Sequence, residues 1–95
     1  MKKTTLIQEI AEKKGLPKKE VEIVIDCMLE TIVESIKEEE AVSFIGFGSF
    51  VPVRKRPREI YLPGADKKIH VKEKLGIRFK PSKRLKEILE EYTIA

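Results

Sequence analysis

Over the first forty positions apolar residues recur with helical spacing, and from Ala41 onward they recur with the spacing of a strand. Leu6-Ile7 and Ile10-Ala11 predict a short helix over residues 5–14. Thr5 with Gln8 three residues later reads as a capping box that opens it, and Gly15 as the residue that closes it. After Leu16-Pro17, the residues Val21, Val24, Ile25, Met28, Leu29, Ile32, Val33 and Ile36 predict a second, longer helix. At about 100° per residue this stripe covers roughly half the circumference, wider than packing on one neighbour requires. The second helix is therefore expected to serve both a core and a subunit interface, with Ile23 and Cys27 outside the stripe.

Val42-Ser43-Phe44-Ile45, a Gly46-Phe47-Gly48 turn and Ser49-Phe50-Val51-Pro52-Val53 predict a hairpin. The second strand runs on, turns at Pro63-Gly64-Ala65-Asp66 and returns through Ile69, Val71, Leu75, Ile77 and Phe79 as a long two-stranded ribbon. Pro52 and Pro57 are tolerated where a strand has a free edge, which predicts that the ribbon projects. Pro81-Ser82 caps a last helix whose Leu85, Ile88, Leu89 and Tyr92 share one face and are expected to cover one side of the sheet.

Charge changes this picture from a generic α+β domain to a specialised one. The net charge of +4 over 95 residues conceals a segregation. Residues 1–53 carry seven cations against ten carboxylates (−3), residues 54–84 twelve against three (+9), and residues 85–95 one against three (−2). The projecting ribbon is thus also the basic segment, and a large polyanion would be drawn to it. A chain this short that spends residues on a projection is expected to complete its core by oligomerising. Met1-Lys2-Lys3-Thr4 begins no apolar run of signal-peptide or membrane-span length, and the single Cys27 forms no internal disulfide, so a cytoplasmic setting is expected.

On the arm, Arg54, Arg56 and Arg58 alternate onto one face with Lys55 opposite, and Lys67, Lys68, Lys72 and Lys74 return on the partner strand. A cationic two-stranded ribbon fits a DNA groove and can meet two phosphate backbones. At its end Ile60-Tyr61-Leu62-Pro63 is an apolar run that neither a core nor an ordinary loop explains. It fits a wedge that enters between base steps, with Pro63 leading and Leu62 or Tyr61 assisting. Packing of the tip against another subunit is the alternative. Lys83 and Arg84 stand in the first turn of the last helix, where the macrodipole disfavours cations unless an anion joins them. With Arg78 and Lys80 they form an expected phosphate-binding edge.

Other readings fare worse. A helix-turn-helix reader formed by the first two helices would turn an acidic stripe, Glu22, Asp26, Glu30 and Glu34, toward phosphates. Gly46-Phe47-Gly48 lacks the following helix and Lys of a phosphate-cradling loop, and Phe44, Phe47, Phe50 and Phe79 read as an aromatic core. His70 and Cys27 are the only residues of their kinds, so neither a nucleophile-base pair nor a metal site can be assembled; no enzyme, cofactor or metal is expected. The Glu38-Glu39-Glu40 run reads as solvated charge.

Taken together, Thr4, Leu6-Ile7, Gly15-Leu16, Asp26, Ile45-Gly46-Phe47-Gly48-Ser49-Phe50, Pro63, Phe79-Lys80-Pro81, Lys83 and Leu85-Lys86 carry a resemblance to the HU and integration host factor family of bacterial DNA-bending proteins. It spans nearly the whole chain. The resemblance implies an intertwined dimer, with two arms wrapping the minor groove and an intercalating proline at each tip, Pro63 here. It also implies phosphate contacts at Lys3, Lys55, Arg58, Lys80, Lys83 and Lys86; the aromatic core of Phe44, Phe47, Phe50 and Phe79 is expected to be the core of the dimer. Where the family has Gly-Arg-Asn before the proline and Thr-Gly after it, this chain has Ile60-Tyr61-Leu62 and Ala65-Asp66. That implies a more apolar wedge with weaker sequence preference.

The expectation is one α+β domain over 1–95, forming a dimer with an identical or related subunit. Residues 1–40 form a helical dimerisation hairpin, 41–53 and 75–80 a three-stranded antiparallel sheet, 54–74 the protruding arm and 82–95 a short C-terminal helix. Its expected partner is double-stranded DNA, bent or compacted without chemistry in the bacterial nucleoid. A protein-interaction module whose arm clasps an acidic partner is the second reading.

Overall fold

Two helices, a three-stranded sheet that extends into a ribbon, and a last helix follow one another in a computed structural model that describes residues 1–64 and 67–92, without the side chains of Leu62 and Lys67. The chain divides into two compact units, Met1–Glu34 and Ser35–Ala95.

Helix α1 spans Lys3–Lys14 and α2 spans Lys18–Lys37. The capping box does not form. The helix begins two residues earlier than expected, with Lys2 at the cap position and no side-chain bond there. Thr5 is consequently the third helical residue, and Gln8 donates instead to Glu12 at 3.2 Å. Gly15 ends α1 in the left-handed conformation, φ 64°, and its N–H bonds the carbonyl of Ala11. Ile7, Ala11, Val21 and Ile25 form the core of this unit, with Ile10 packed against it.

The apolar stripe of α2 divides as its width requires. Val21, Ile25, Ile32 and Ile36 are buried and fall within roughly 60° of each other at 100° per residue. Val24 and Met28 on one flank, and Leu29 and Val33 on the other, are exposed, Val24 to 67% and Val33 to 52%.

Strands β1 (Val42–Phe44), β2 (Gly48–Lys55) and β5 (Lys74–Pro81) form an antiparallel sheet in the order β1-β2-β5. In the Ile45-Gly46-Phe47 turn, Phe47 donates to the carbonyl of Phe44 and Gly46 takes φ 82°, a conformation open to glycine. Gly48 is fixed by contact: a Cβ there would lie 2.6 Å from the Phe79 ring and from the Lys80 carbonyl oxygen. Phe50 pairs directly with Phe79, ring centroids 5.2 Å apart, and Phe44 and Phe47 add to the cluster at 6.3 and 5.5 Å. The aromatic grouping read from the sequence is therefore present, but Phe47 remains 50% exposed within one chain.

Pro52 lies in the middle strand of this sheet without disturbing it. Strand β1 starts at Val42 opposite Phe50, so at position 52 the edge of β2 facing β1 is free.

Beyond the sheet, β3 (Arg58–Leu62) and β4 (Lys67–Val71) form a second, two-stranded ladder. The expected continuous ribbon is thus interrupted at Arg56-Pro57 and Lys72-Glu73. Pro57 has no N–H to donate, and pairing lapses around it. The register survives the interruption. Lys55 pairs with Lys74 before it and Arg58 with Val71 after it, two residues being skipped on each strand.

Helix α3, Lys83–Glu90, starts where Ser82 Oγ accepts from the Leu85 N–H at 3.0 Å. Contrary to expectation it does not bury its apolar face on the sheet. None of its residues is buried, and Leu89 in the helix and Tyr92 just beyond it are 63% and 77% exposed.

Candidate nucleic-acid interface

Opposed residues in an antiparallel ladder share a face, so the retained register decides which arm cations act together. Lys55 and Lys74 are directly paired. Arg58 pairs with Val71 on the alternate face. Like charges placed opposite one another are unfavourable unless an anion joins them. Around the interruption the two strands part and leave a cavity of about 400 Å3 lined by Lys55, Arg56, Arg58, Lys72, Lys74 and Val71. Five of the eight expected arm cations thus converge on one concave surface at the root of the outer ladder.

The outer ladder carries the tip. Ile60 pairs with Ile69, and Tyr61 with Lys68. Glu59 lies 3.8 Å from the Lys68 ammonium, a weak exposed pair, and faces His70 across the ladder. Pro63 and Gly64 form the start of the turn, with Pro63 exposed and Gly64 at φ 86°. Tyr61 is 59% exposed. The expected roles of the Leu62 and Lys67 side chains lie outside the described residues, as do Ala65 and Asp66.

Two expected phosphate ligands have carboxylate partners inside the chain. Lys3 forms an ion pair with Asp26, whose hydrogen bond raises the lysine's pKa above its ordinary value of 10.5. Since α1 has no acidic residue in its first turn, Asp26 also offsets a cation that the helix dipole disfavours. Arg54 donates from Nε and Nη2 to the two oxygens of Glu39, at 2.5 and 2.8 Å, and its Nη1 lies 3.6 Å from Glu73. The hydrogen bond from Arg54 lowers the pKa of the Glu39 carboxyl. Sequence reading placed Glu39 in a solvated run and missed this contact, for a pairing fifteen residues apart leaves no local periodicity.

Glu39 has a further structural role. The Glu39 N–H bonds the Ile36 carbonyl and the Glu40 N–H that of Ser35, both at 2.9 Å, a Schellman closure of α2. Glu39 itself holds φ 59°, where glycine is the usual occupant.

On the body, Arg78, Lys80, Lys83, Arg84 and Lys86 are all exposed. Lys83 and Arg84 follow the Ser82 cap, in a first turn that contains no acidic residue. Ser82 is itself tied to the aromatic turn, its N–H bonding the Phe47 carbonyl at 2.9 Å. Among the described residues no group of three or more His, Cys, Asp or Glu side chains could hold a metal ion, and no helix is long and apolar enough to cross a membrane.

Residues 1–90 match the family model described as bacterial DNA-binding protein. The chain belongs to this HU-type family. It is 40% identical over 87 residues to the DNA-binding protein HU of Thermotoga maritima, covering 92% of this chain and 97% of that one. A prophage-derived DNA-binding protein HU 2 of Bacillus subtilis is 36% identical over 90 residues, covering 95% and 98%. Among solved structures, an Anabaena HU–DNA cocrystal matches with TM-score 0.81 at 30% identity, covering 94% of this chain and 97% of that one. Thermotoga maritima HU matches with TM-score 0.66 at 34% identity, covering 94% and 98%. HU-type proteins are DNA-binding proteins and not enzymes, in keeping with the lone His and Cys of this chain. The fold expected from its sequence, α+β with helices, antiparallel sheet and two-stranded arm, is the fold of these relatives.

Proposed function

We propose that this HU-type chain binds double-stranded DNA as a dimer, with little sequence preference, and bends it by inserting Pro63 between base steps from the minor groove. The observation that carries this reading is the ribbon. One register runs from the sheet to the tip, with five cations gathered at the root of the outer ladder and Pro63 exposed at its end. Cations at the root can grip the two phosphate backbones that border a groove, while the tip meets the bases. Tyr61 beside Pro63 adds a large ring to the wedge where the family has a polar residue, which favours stacking over polar readout of base edges.

Two arms require two chains, and the exposed apolar residues support that. Val24, Met28, Leu29 and Val33 of α2, Phe47 and Ile45 of the turn, and Leu89 of α3 leave more apolar surface open than a stable monomer of this size carries. In this proposal residues 1–40 dimerise, 41–53 and 75–80 form the sheet body, 54–74 the arm and Lys83–Glu90 the last helix. The dimer works in the cytoplasm, on the bacterial nucleoid. Arg78, Lys80, Lys83, Arg84 and Lys86 extend the phosphate contacts along the body, and Lys68 and Lys67 extend them toward the tip. The Anabaena relative solved with DNA supports the choice of ligand.

Titration of duplexes of random and A/T-rich sequence at several salt concentrations tests the proposal. Log affinity should fall with log salt at about −0.9 per phosphate neutralised, with similar slopes on both duplexes. Affinity insensitive to salt, or no shift of duplex DNA at moderate salt, contradicts it.

A further inference from the structure

Every nitrogen of the Arg54 guanidinium faces a carboxylate. Nε and Nη2 form a two-pronged bond with Glu39, and Nη1 points at Glu73. Glu39 lies at the closing turn of α2, Arg54 near the outer end of β2, and Glu73 in the interruption where the inner ladder ends. The side chain joins three segments of the Ser35–Ala95 unit at the place where the arm leaves the sheet. The Nε–Nη2 edge, the fork that a phosphate would take side-on, is already matched by a carboxylate of the right geometry. Glu39 holds a left-handed conformation that glycine would adopt with less strain. The carboxylate is thus supplied at a position where backbone preference alone would select against it.

We propose that Arg54 is a positioning residue that fixes the root of the arm to the closing turn of α2, and is not one of the phosphate ligands. The inference deepens the DNA-bending reading and rests on it for its functional consequence. With the clasp closed the arm leaves the sheet in one direction, so the tip reaches the bases at a set angle. With the clasp open the arm keeps its phosphate grip through Lys55, Arg56, Arg58, Lys72 and Lys74 but delivers Pro63 over a spread of angles. Charge complementarity supports the clasp, since the hydrogen bond to Glu39 raises the pKa of Arg54 and the same bond lowers that of Glu39.

Three variants separate positioning from phosphate binding. Arg54→Lys keeps the charge and loses the fork. Glu39→Gln keeps the shape and loses the carboxylate. Glu39→Gly also loses the carboxylate while suiting the left-handed backbone, which excludes a damaged helix end as the cause. All three should leave the salt slope of duplex binding unchanged and lower energy transfer between dyes at the duplex ends. Combining Arg54→Lys with Glu39→Gln should add nothing further.

Tighter DNA binding by Glu39→Gln, with a slope steeper by about 0.9 per phosphate, would show a captive phosphate ligand set free and would overturn the proposal. Wild-type bending by Arg54→Lys would overturn it equally. Hydrogen exchange in the free protein provides a readout independent of DNA. Amides of Lys55 and Lys74 should exchange faster in all three variants, and unchanged protection there removes the clasp even if the wild-type chain proves not to bend DNA at all.

Discussion

Gly48 is the residue whose size is most tightly limited. Of the atoms a Cβ would meet at 2.6 Å, one is a backbone carbonyl oxygen and the other belongs to a ring held between Phe47 and Phe50. Gly48→Ala should destabilise by about 1–3 kcal/mol, the cost of overpacking. Gly76→Ala, whose Cβ would meet the flexible end of Lys55 at 3.2 Å, should cost far less in the same denaturant titration. Equal losses would mean that the aromatic contact does not set the limit. Glu39 provides a second test. Folding lowers its carboxyl pKa from the ordinary 4.5, so the stabilisation is present above that value and disappears as pH falls through the folded-state pKa. Wild type should melt above Glu39→Gln at neutral pH, and the two curves should converge below pH 4.5. A gap that persists in acid would show that the carboxylate charge is not its source. Neither feature is fully legible from the sequence. Gly46-Phe47-Gly48 announces a turn, but only the fold shows that its first glycine answers a dihedral angle and its second a ring.

At the scale of elements, the helices and the pairing of strands could be read because each rests on local periodicity. The 3.6-residue spacing of α2 and the alternation through Leu75, Ile77 and Phe79 needed no tertiary information. Caps were readable only where the helix began where the pattern suggested. Ser82 accepts its bond from Leu85 as expected, and Ser82→Ala should cost about 1 kcal/mol. Thr5 lost its expected role because α1 starts upstream, with Lys3 paired to Asp26 in a partner helix that no local rule considers. The interruption at Pro57 was visible as a proline but not as a cavity. That the strands part without losing register depends on two residues being skipped on each side, a count that involves both strands at once.

On the scale of the whole molecule, apolar surface is left for a second copy of the chain to cover. Val33→Asp on the exposed flank of α2 should shift sedimentation toward monomer and make melting independent of protein concentration; an unshifted dimer would place the interface elsewhere. Charge follows the same division of labour. The acidic flanks hold Lys3 and Arg54 in internal pairs, while the cations converging at the ribbon interruption have no comparable carboxylate partner among the described ion pairs. The sequence showed where basic charge is concentrated but not which cations are engaged, because engagement is decided by contacts between distant segments. Bend angle in the bound state reports on all of this at once. Energy transfer across a duplex saturated with protein should fall clearly on going from wild type to Pro63→Ala, with the salt slope of binding unchanged. A Pro63→Ala dimer that bends the same duplex as strongly as wild type would contradict intercalation by the arm tip.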